Sequence, residues 1–139
     1  HYPQYADTFR GNLTGLLADL EGLQDEIHKT LEELSCRELI TFHDGFAYLA
    51  QACGLTIVEA IEEESGREAS AKELIRVIRE VEEHHLPAIF TEKSGSTAAA
   101  EIISRETGAK CLSLDMAMAG DSYFDAMYHN IDTLKEALQ

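Results

Sequence analysis

The first third of the chain carries one hydrophobic pattern. Phe9, Leu13, Leu16, Leu17, Leu20, Leu23, Ile27, Leu31 and Leu34 recur mostly at steps of three and four residues, the apolar stripe of an amphipathic helix. Pro3 fits a first helical turn, where its missing N–H costs nothing. The spacing predicts a single helix over Pro3–Leu34, roughly 45–50 Å long at 1.5 Å per residue. Gly11, Gly15 and Gly22 each weaken it by about 1 kcal/mol relative to alanine, so packing has to hold it. A helical hairpin broken near Gly15 or Gly22 is the alternative. A helix this long at the front of a small domain suggests a strut shared with a further part of the protein.

Beyond it, short apolar runs alternate with amphipathic stretches. Strands are expected at Leu39–Phe42, Leu55–Ile61, Ala88–Thr91 and Lys110–Leu114. Helices are expected at Asp44–Cys53, stopped by Gly54, and at Ala98–Glu106, closed by Gly108. Ser70-Ala71-Lys72-Glu73 forms a capping box that opens a helix with Leu74, Ile75, Ile78 and Val81 on one face. Asp121 is expected to cap a final helix whose inner face is Phe124, Tyr128, Ile131, Leu134 and Leu138. Charged residues and Gly66 mark Glu62–Ala69 as a surface loop. Lys93–Ser96 reads as a polar turn and Met116–Gly120 as a loop of small residues.

Strand alternating with helix four times is the pattern of a parallel sheet covered on both faces. The expected fold class is therefore α/β: a four-stranded parallel, doubly wound sheet with helices on both faces, preceded by one long helix. Residues 1–35 form that helix and 36–139 the α/β lobe. The expected strand order is two-one-three-four, with the switch point between strands one and three. Ligand sites of such sheets lie at the carboxyl edge of the strands. Three of the four strands end there in a potential metal ligand: His43, Glu92 and Asp115.

Composition narrows the chemistry. The chain has 139 residues and 45% apolar content, enough for one core, and no run long enough to span a membrane. A formal charge of −15 argues against nucleic acid, whose phosphates need clustered Lys and Arg. Cys36, Cys53 and Cys111 match no zinc or redox spacing and read as small core residues, with a Cys53–Cys111 bridge left open. The chain starts at His1 rather than Met, as expected of a processed chain or a piece of a larger one.

An imidazole and a carboxylate make a mixed nitrogen and oxygen donor set suited to zinc, and also to manganese or iron. His43 and Asp115 are the candidate ligands. The same positions also suit a helix-start histidine bonded to backbone and an aspartate capping a loop. Asp44 reads as a helix-start cap. Glu92 reads as an acceptor behind the ligands or a polar strand end, rather than a ligand. His84 and His85 diverge by about 100° on a helix and suit its C-terminus instead. No nucleophile elbow, Walker loop or dinucleotide fingerprint is present.

The segment Arg37–Leu49, with Phe42-His43-Asp44-Gly45-Phe46-Ala47-Tyr48 at its centre, resembles a histidine-bearing segment of the metal-binding solute-binding proteins of ABC transporters. These are zinc and manganese uptake lipoproteins, some of them called adhesins. Ala88–Glu92 resembles that family's strand ending in glutamate, and Thr107–Asp115 the strand that delivers its aspartate ligand. Tyr123, Met127 and Asn130 match the Tyr-x-x-x-Met-x-x-Asn pattern of its last helix. The resemblance runs in order from Arg37 nearly to the end.

What the resemblance implies is two α/β lobes joined by a long rigid helix, with a metal held between them and two ligands from each lobe. His43 and Asp115 would be this lobe's pair. Histidine where manganese-selective relatives carry glutamate implies zinc first, with manganese as the second choice. Residues 3–34 match the end of the connecting helix, so the N-terminal lobe with two further histidine ligands lies outside this chain. The implied function is capture of a divalent metal for an ABC permease on the extracytoplasmic side, in the periplasm or anchored at the cell surface, without turnover chemistry. A helix face left uncovered would also favour a homodimer. The rival from another class is a small metal-dependent hydrolase on a flavodoxin-like sheet using His43, Glu92 and Asp115.

Overall fold

The computed structural model describes residues 2–61, 69–118 and 122–139. After a short 3₁₀ turn at Pro3–Tyr5, the chain forms α1 (Ala6–Leu31), β1 (Glu38–Thr41), α2 (Ala47–Ala52), β2 (Thr56–Ala60), α3 (Ala71–Glu83), β3 (Ala88–Glu92), α4 (Ala98–Thr107), β4 (Lys110–Leu114) and α5 (Tyr123–Leu138). The four strands are all parallel and stand in the order β2-β1-β3-β4. This is the doubly wound α/β sheet that the alternation predicts.

The apolar strands serve two cores at once, because successive side chains leave opposite faces. Leu39, Ala88, Phe90 and Leu114 point into a core closed by α1, α2 and α5, through Leu23, Ile27, Leu31, Phe46, Ala50, Ile131 and Leu134. Ile40, Phe42 and Ile89 point into the other, against Val77 and Val81 of α3 and Ala100 and Ile103 of α4. Cys53 belongs to the first core and Cys111 packs against the second, and all three cysteines are free thiols. The sheet between them rules out the Cys53–Cys111 bridge. Burial pushes the Cys53 thiol up to about 11, as expected of an inert core cysteine.

Helix α1 is continuous through Gly15 and Gly22 but ends at Leu31, short of Leu34. The Arg37 guanidinium stops it by donating 3.0 Å hydrogen bonds to the last carbonyls, those of Leu31 and Glu32. Ser35 and Cys36 then donate to the carbonyl of Leu138, tying the exit of α1 to the end of α5. The two halves of α1 differ sharply. Leu23, Ile27 and Leu31 are at most 8% exposed, whereas Phe9, Leu13, Leu16 and Leu17 are 48–57% exposed.

Several local expectations hold and a few shift. Ser70 and Glu73 form the reciprocal capping box. Gly108 closes α4 in the left-handed region. Within α3 the inward positions are Val77 and Val81 with Leu74 and Ile78 beside them, while Ile75 is exposed. Helix α5 is capped by Ser122, whose side chain accepts from the Asp125 N–H. Asp121 and nearly all of the 62–69 loop lie outside the described residues. On α5, Ala126, Asn130 and Ile131 face inward and Tyr128 is exposed, because the helix turns Asn130 rather than Tyr128 toward β4.

Candidate metal centre

The carboxyl edge of the sheet is where β1, β3 and β4 release their polar ends. Thr41 pairs with Phe90 and Glu92 with Leu114, so His43 and Glu92 are level and Asp115 lies one residue beyond. Strands stand about 4.8 Å apart, so β1 and β4, on either side of β3, are separated by about 10 Å. One described contact joins the two loops across that gap: a Cβ at Gly45 would collide with Met116 Cε and with the His43 ring. The Met116 methyl and the His43 ring close over Gly45.

His43 leaves β1 in extended conformation. The Thr41 hydroxyl donates 2.9 Å to the His43 carbonyl, holding the strand end. The imidazole Nδ1 accepts a 2.9 Å hydrogen bond from the Gly45 N–H and lies 3.4 Å from Asp44 Oδ1. The ring meets Phe46 edge to face at 6.5 Å. Its side chain remains 42% exposed, and Nε2 has no partner among the described residues. The helix-start bond is therefore present, and a coordinating nitrogen stays available beside it.

Asp115 is held far more tightly. Its residue is 2% exposed. Asn130, fully buried on α5, accepts from the Asp115 N–H at 2.7 Å and donates to its carbonyl at 2.8 Å. On the side chain, Oδ1 accepts from the Ala117 N–H at 2.8 Å and Oδ2 from Lys93 Nζ at 3.0 Å. The Lys93 bond is the main reason the carboxyl titrates below its usual range, outweighing the opposite effect of burial. The Ala117 N–H, the Lys93 charge and His129 act in the same direction. The chain pays locally with Ala117 in the left-handed region, at φ 57°.

Glu92 is half-buried at the end of β3, between the two. Its carbonyl accepts from the Gly95 N–H, and its carboxylate has no hydrogen-bond partner among the described residues. Asp44 occupies the first turn after β1. His84 is bonded at 2.8 Å to Glu38 at the opposite end of β1, which pushes its pKa up and marks a structural ion pair. No group of three or more His, Cys, Asp or Glu able to hold a metal is found among the described residues. Among the described residues this edge carries one imidazole and the carboxylates of Glu92 and Asp115, residue types that zinc and manganese accept.

Two participants escape a linear reading. Asn130 stands out in the sequence only as part of the α5 pattern, with no role attached. Lys93 reads as a turn residue, and its one signal is its place directly after the strand-ending Glu92.

Comparison with known proteins converges on one group. The family model described as "ZnuA: Zinc-uptake complex component A periplasmic" matches residues 1–137. The "High-affinity zinc uptake system protein ZnuA" of Bacillus subtilis (strain 168) is 29% identical over 144 residues, covering 98% of this chain and 45% of that protein. A "Crystal structure of ZnuA" superposes with a TM-score of 0.85 at 31% identity, over 99% of this chain and 50% of that one. The structure of the solute-binding protein FpvC from Pseudomonas aeruginosa, in complex with Mn2+, superposes with a TM-score of 0.81 at 26% identity, over 99% of this chain and 54% of that one. The chain thus spans about half the length of the relatives it matches.

Proposed function

The chain belongs to the family of periplasmic zinc-uptake components, and from that premise we propose that it is the metal-binding C-terminal lobe of an ABC-transporter solute-binding protein, with His43 and Asp115 as its two ligands. The observation that carries this reading is the pairing of an accessible imidazole with a buried, ionised carboxylate on the strand ends flanking β3. An imidazole and a carboxylate are hard-to-borderline donors, and zinc accepts both. Manganese is the second cargo, by the same donor set. Capture takes place outside the cytoplasm, with an ABC permease as the recipient.

Coordination through His43 Nε2 requires the neutral tautomer with its proton on Nδ1. The Gly45 N–H faces Nδ1, so holding a metal through Nε2 would require giving up that hydrogen bond. Glu92, level with His43 at the end of β3, is proposed as a supporting acceptor, while Asp44 Oδ1 already lies 3.4 Å from Nδ1. No turnover is assigned. A hydrolase would need a third firm ligand and a base set against water, and the relatives that the chain resembles are zinc-uptake proteins.

With two donors, the lobe alone binds zinc weakly, since water completes the shell. The remaining ligands would come from a second lobe. The exposed stripe of Phe9, Leu13, Leu16 and Leu17 supports reading α1 as the helix that would connect to it, with residues 36–139 as the lobe proper. A second copy of this chain is the competing occupant of that stripe. Isothermal titration with zinc tests the ligand assignment: binding in the range of tens of micromolar or weaker, lost in His43→Ala and Asp115→Asn, is the expected result. Binding that survives both substitutions overturns it. Light scattering at high concentration decides whether the stripe pairs two copies.

A further inference from the structure

We propose that Lys93 is a tethered counter-cation that competes with the incoming metal for Asp115 and thereby sets how readily this lobe gives the metal up. The inference rests on the assignment of Asp115 as a ligand and goes one residue further. Both Asp115 oxygens are engaged: Oδ1 by the Ala117 N–H and Oδ2 by the Lys93 ammonium. Asn130 clamps the Asp115 backbone on both its N–H and its C=O, and the Ala117 N–H and Lys93 hold the buried carboxylate where it lies. The ion has to come to the carboxylate.

A zinc ion bonded to that carboxylate sits about 2.0–2.2 Å from its oxygen. An ammonium hydrogen-bonded to the same group then lies inside the field of a dication, and the two positive charges repel. One of them has to leave, and the side chains differ in which can. The Asp115 side chain is 3% exposed, while that of Lys93 is 45% exposed. The lysine is the mobile partner.

It does not move far. The Lys93 backbone N–H donates at 2.9 Å to the carbonyl of Leu114, directly before Asp115. The ammonium therefore stays at high local concentration beside the carboxylate and returns once the metal departs. Such an arrangement lowers affinity and speeds release, which suits a carrier that must surrender its cargo.

The test is zinc binding by chelator competition, with release rates by stopped flow, for the chain and for K93M, K93R, H43A and D115N. K93M is expected to bind about tenfold more tightly and to release more slowly, the scale of one charge-assisted hydrogen bond to a partly exposed partner. K93R, which keeps the charge, restores the weaker binding. Equal or weaker binding by K93M, with H43A and D115N losing zinc, overturns the counter-cation while leaving the ligands in place. Retained binding in H43A and D115N overturns the ligand assignment itself. Amine-reactive labelling read by mass spectrometry needs no variant: zinc should accelerate modification of Lys93 and leave Lys72 and Lys135 unchanged. Unchanged labelling of Lys93 in zinc-loaded protein also overturns the proposal.

Discussion

The two strand ends that supply the candidate ligands are built on opposite principles. At the end of β1, His43 is half exposed and held by one backbone hydrogen bond and one aromatic edge. At the end of β4, Asp115 is buried and gripped by an amide clamp, a turn N–H and a lysine. The difference follows from the chemistry of the two groups. A neutral imidazole crosses from water to a site at little cost, whereas a buried carboxylate needs partners for both oxygens. Of the two candidate ligands, one is therefore fixed and the other adjustable.

Four substitutions and one pH series probe that contrast. The largest effect belongs to Asn130→Ala, which strands the buried Asp115 N–H and carbonyl and opens a cavity. Urea unfolding should show a loss of about 3 kcal/mol. A loss below 1 kcal/mol would mean that water replaces the clamp. Asp115→Asn keeps the shape but gives up the charge-assisted bond from Lys93, and should cost about 1–2 kcal/mol by the same measurement. Gly45→Ala pushes on Met116 and His43 and should cost about 1 kcal/mol, small because both contacts are movable side-chain ends. His43→Ala should stay within about 0.5 kcal/mol of the parent, as for other exposed sites. Equal destabilisation by the His43 and Asp115 substitutions would abolish the distinction between the two ends.

The pH series separates Asp115 from the His84–Glu38 pair by sign. The Asp115 pKa is lowered by folding, so its contribution is present above the ordinary carboxylate value and is lost as pH falls through the folded one. The parent should therefore lose stability in acid below about pH 4 more steeply than Asp115→Asn. His84, at the far end of β1, has its pKa raised by Glu38. Its contribution is full below 6.5 and is lost as pH rises through the folded value. Glu38→Gln should accordingly lower the urea midpoint more at pH 6 than at pH 9. An equal shift at both would remove Glu38 as the cause.

Much of this was legible in the linear chain, for reasons that differ by element. The strands of a parallel sheet are buried on both sides, so Leu39–Phe42 and Ala88–Thr91 show as mainly apolar runs, with Thr41 and Thr91 as their polar members. Capping chemistry is local, so Ser70 with Glu73 and Gly108 announced their helix ends. Faces were less legible. Ile75 and Tyr128 fit their stripes as well as their neighbours do, and only the packing partners decide which apolar residue a helix turns inward. The end of α1 was set by Arg37, a side chain from beyond the helix, which no helical pattern contains.

The candidate site divides along the same line. His43 and Asp115 could be picked out because strand ends and residue types are written in order, and a parallel sheet places all such ends on one edge. Their partners could not. Asn130 reaches Asp115 from fifteen residues away, and Lys93 reaches it from twenty-two. Gly45 meets Met116 across β3. Local spacing specifies which groups reach the edge of the sheet. Which of them are clamped, paired or left to move depends on contacts between distant segments, which exist only once the sheet has closed its two cores.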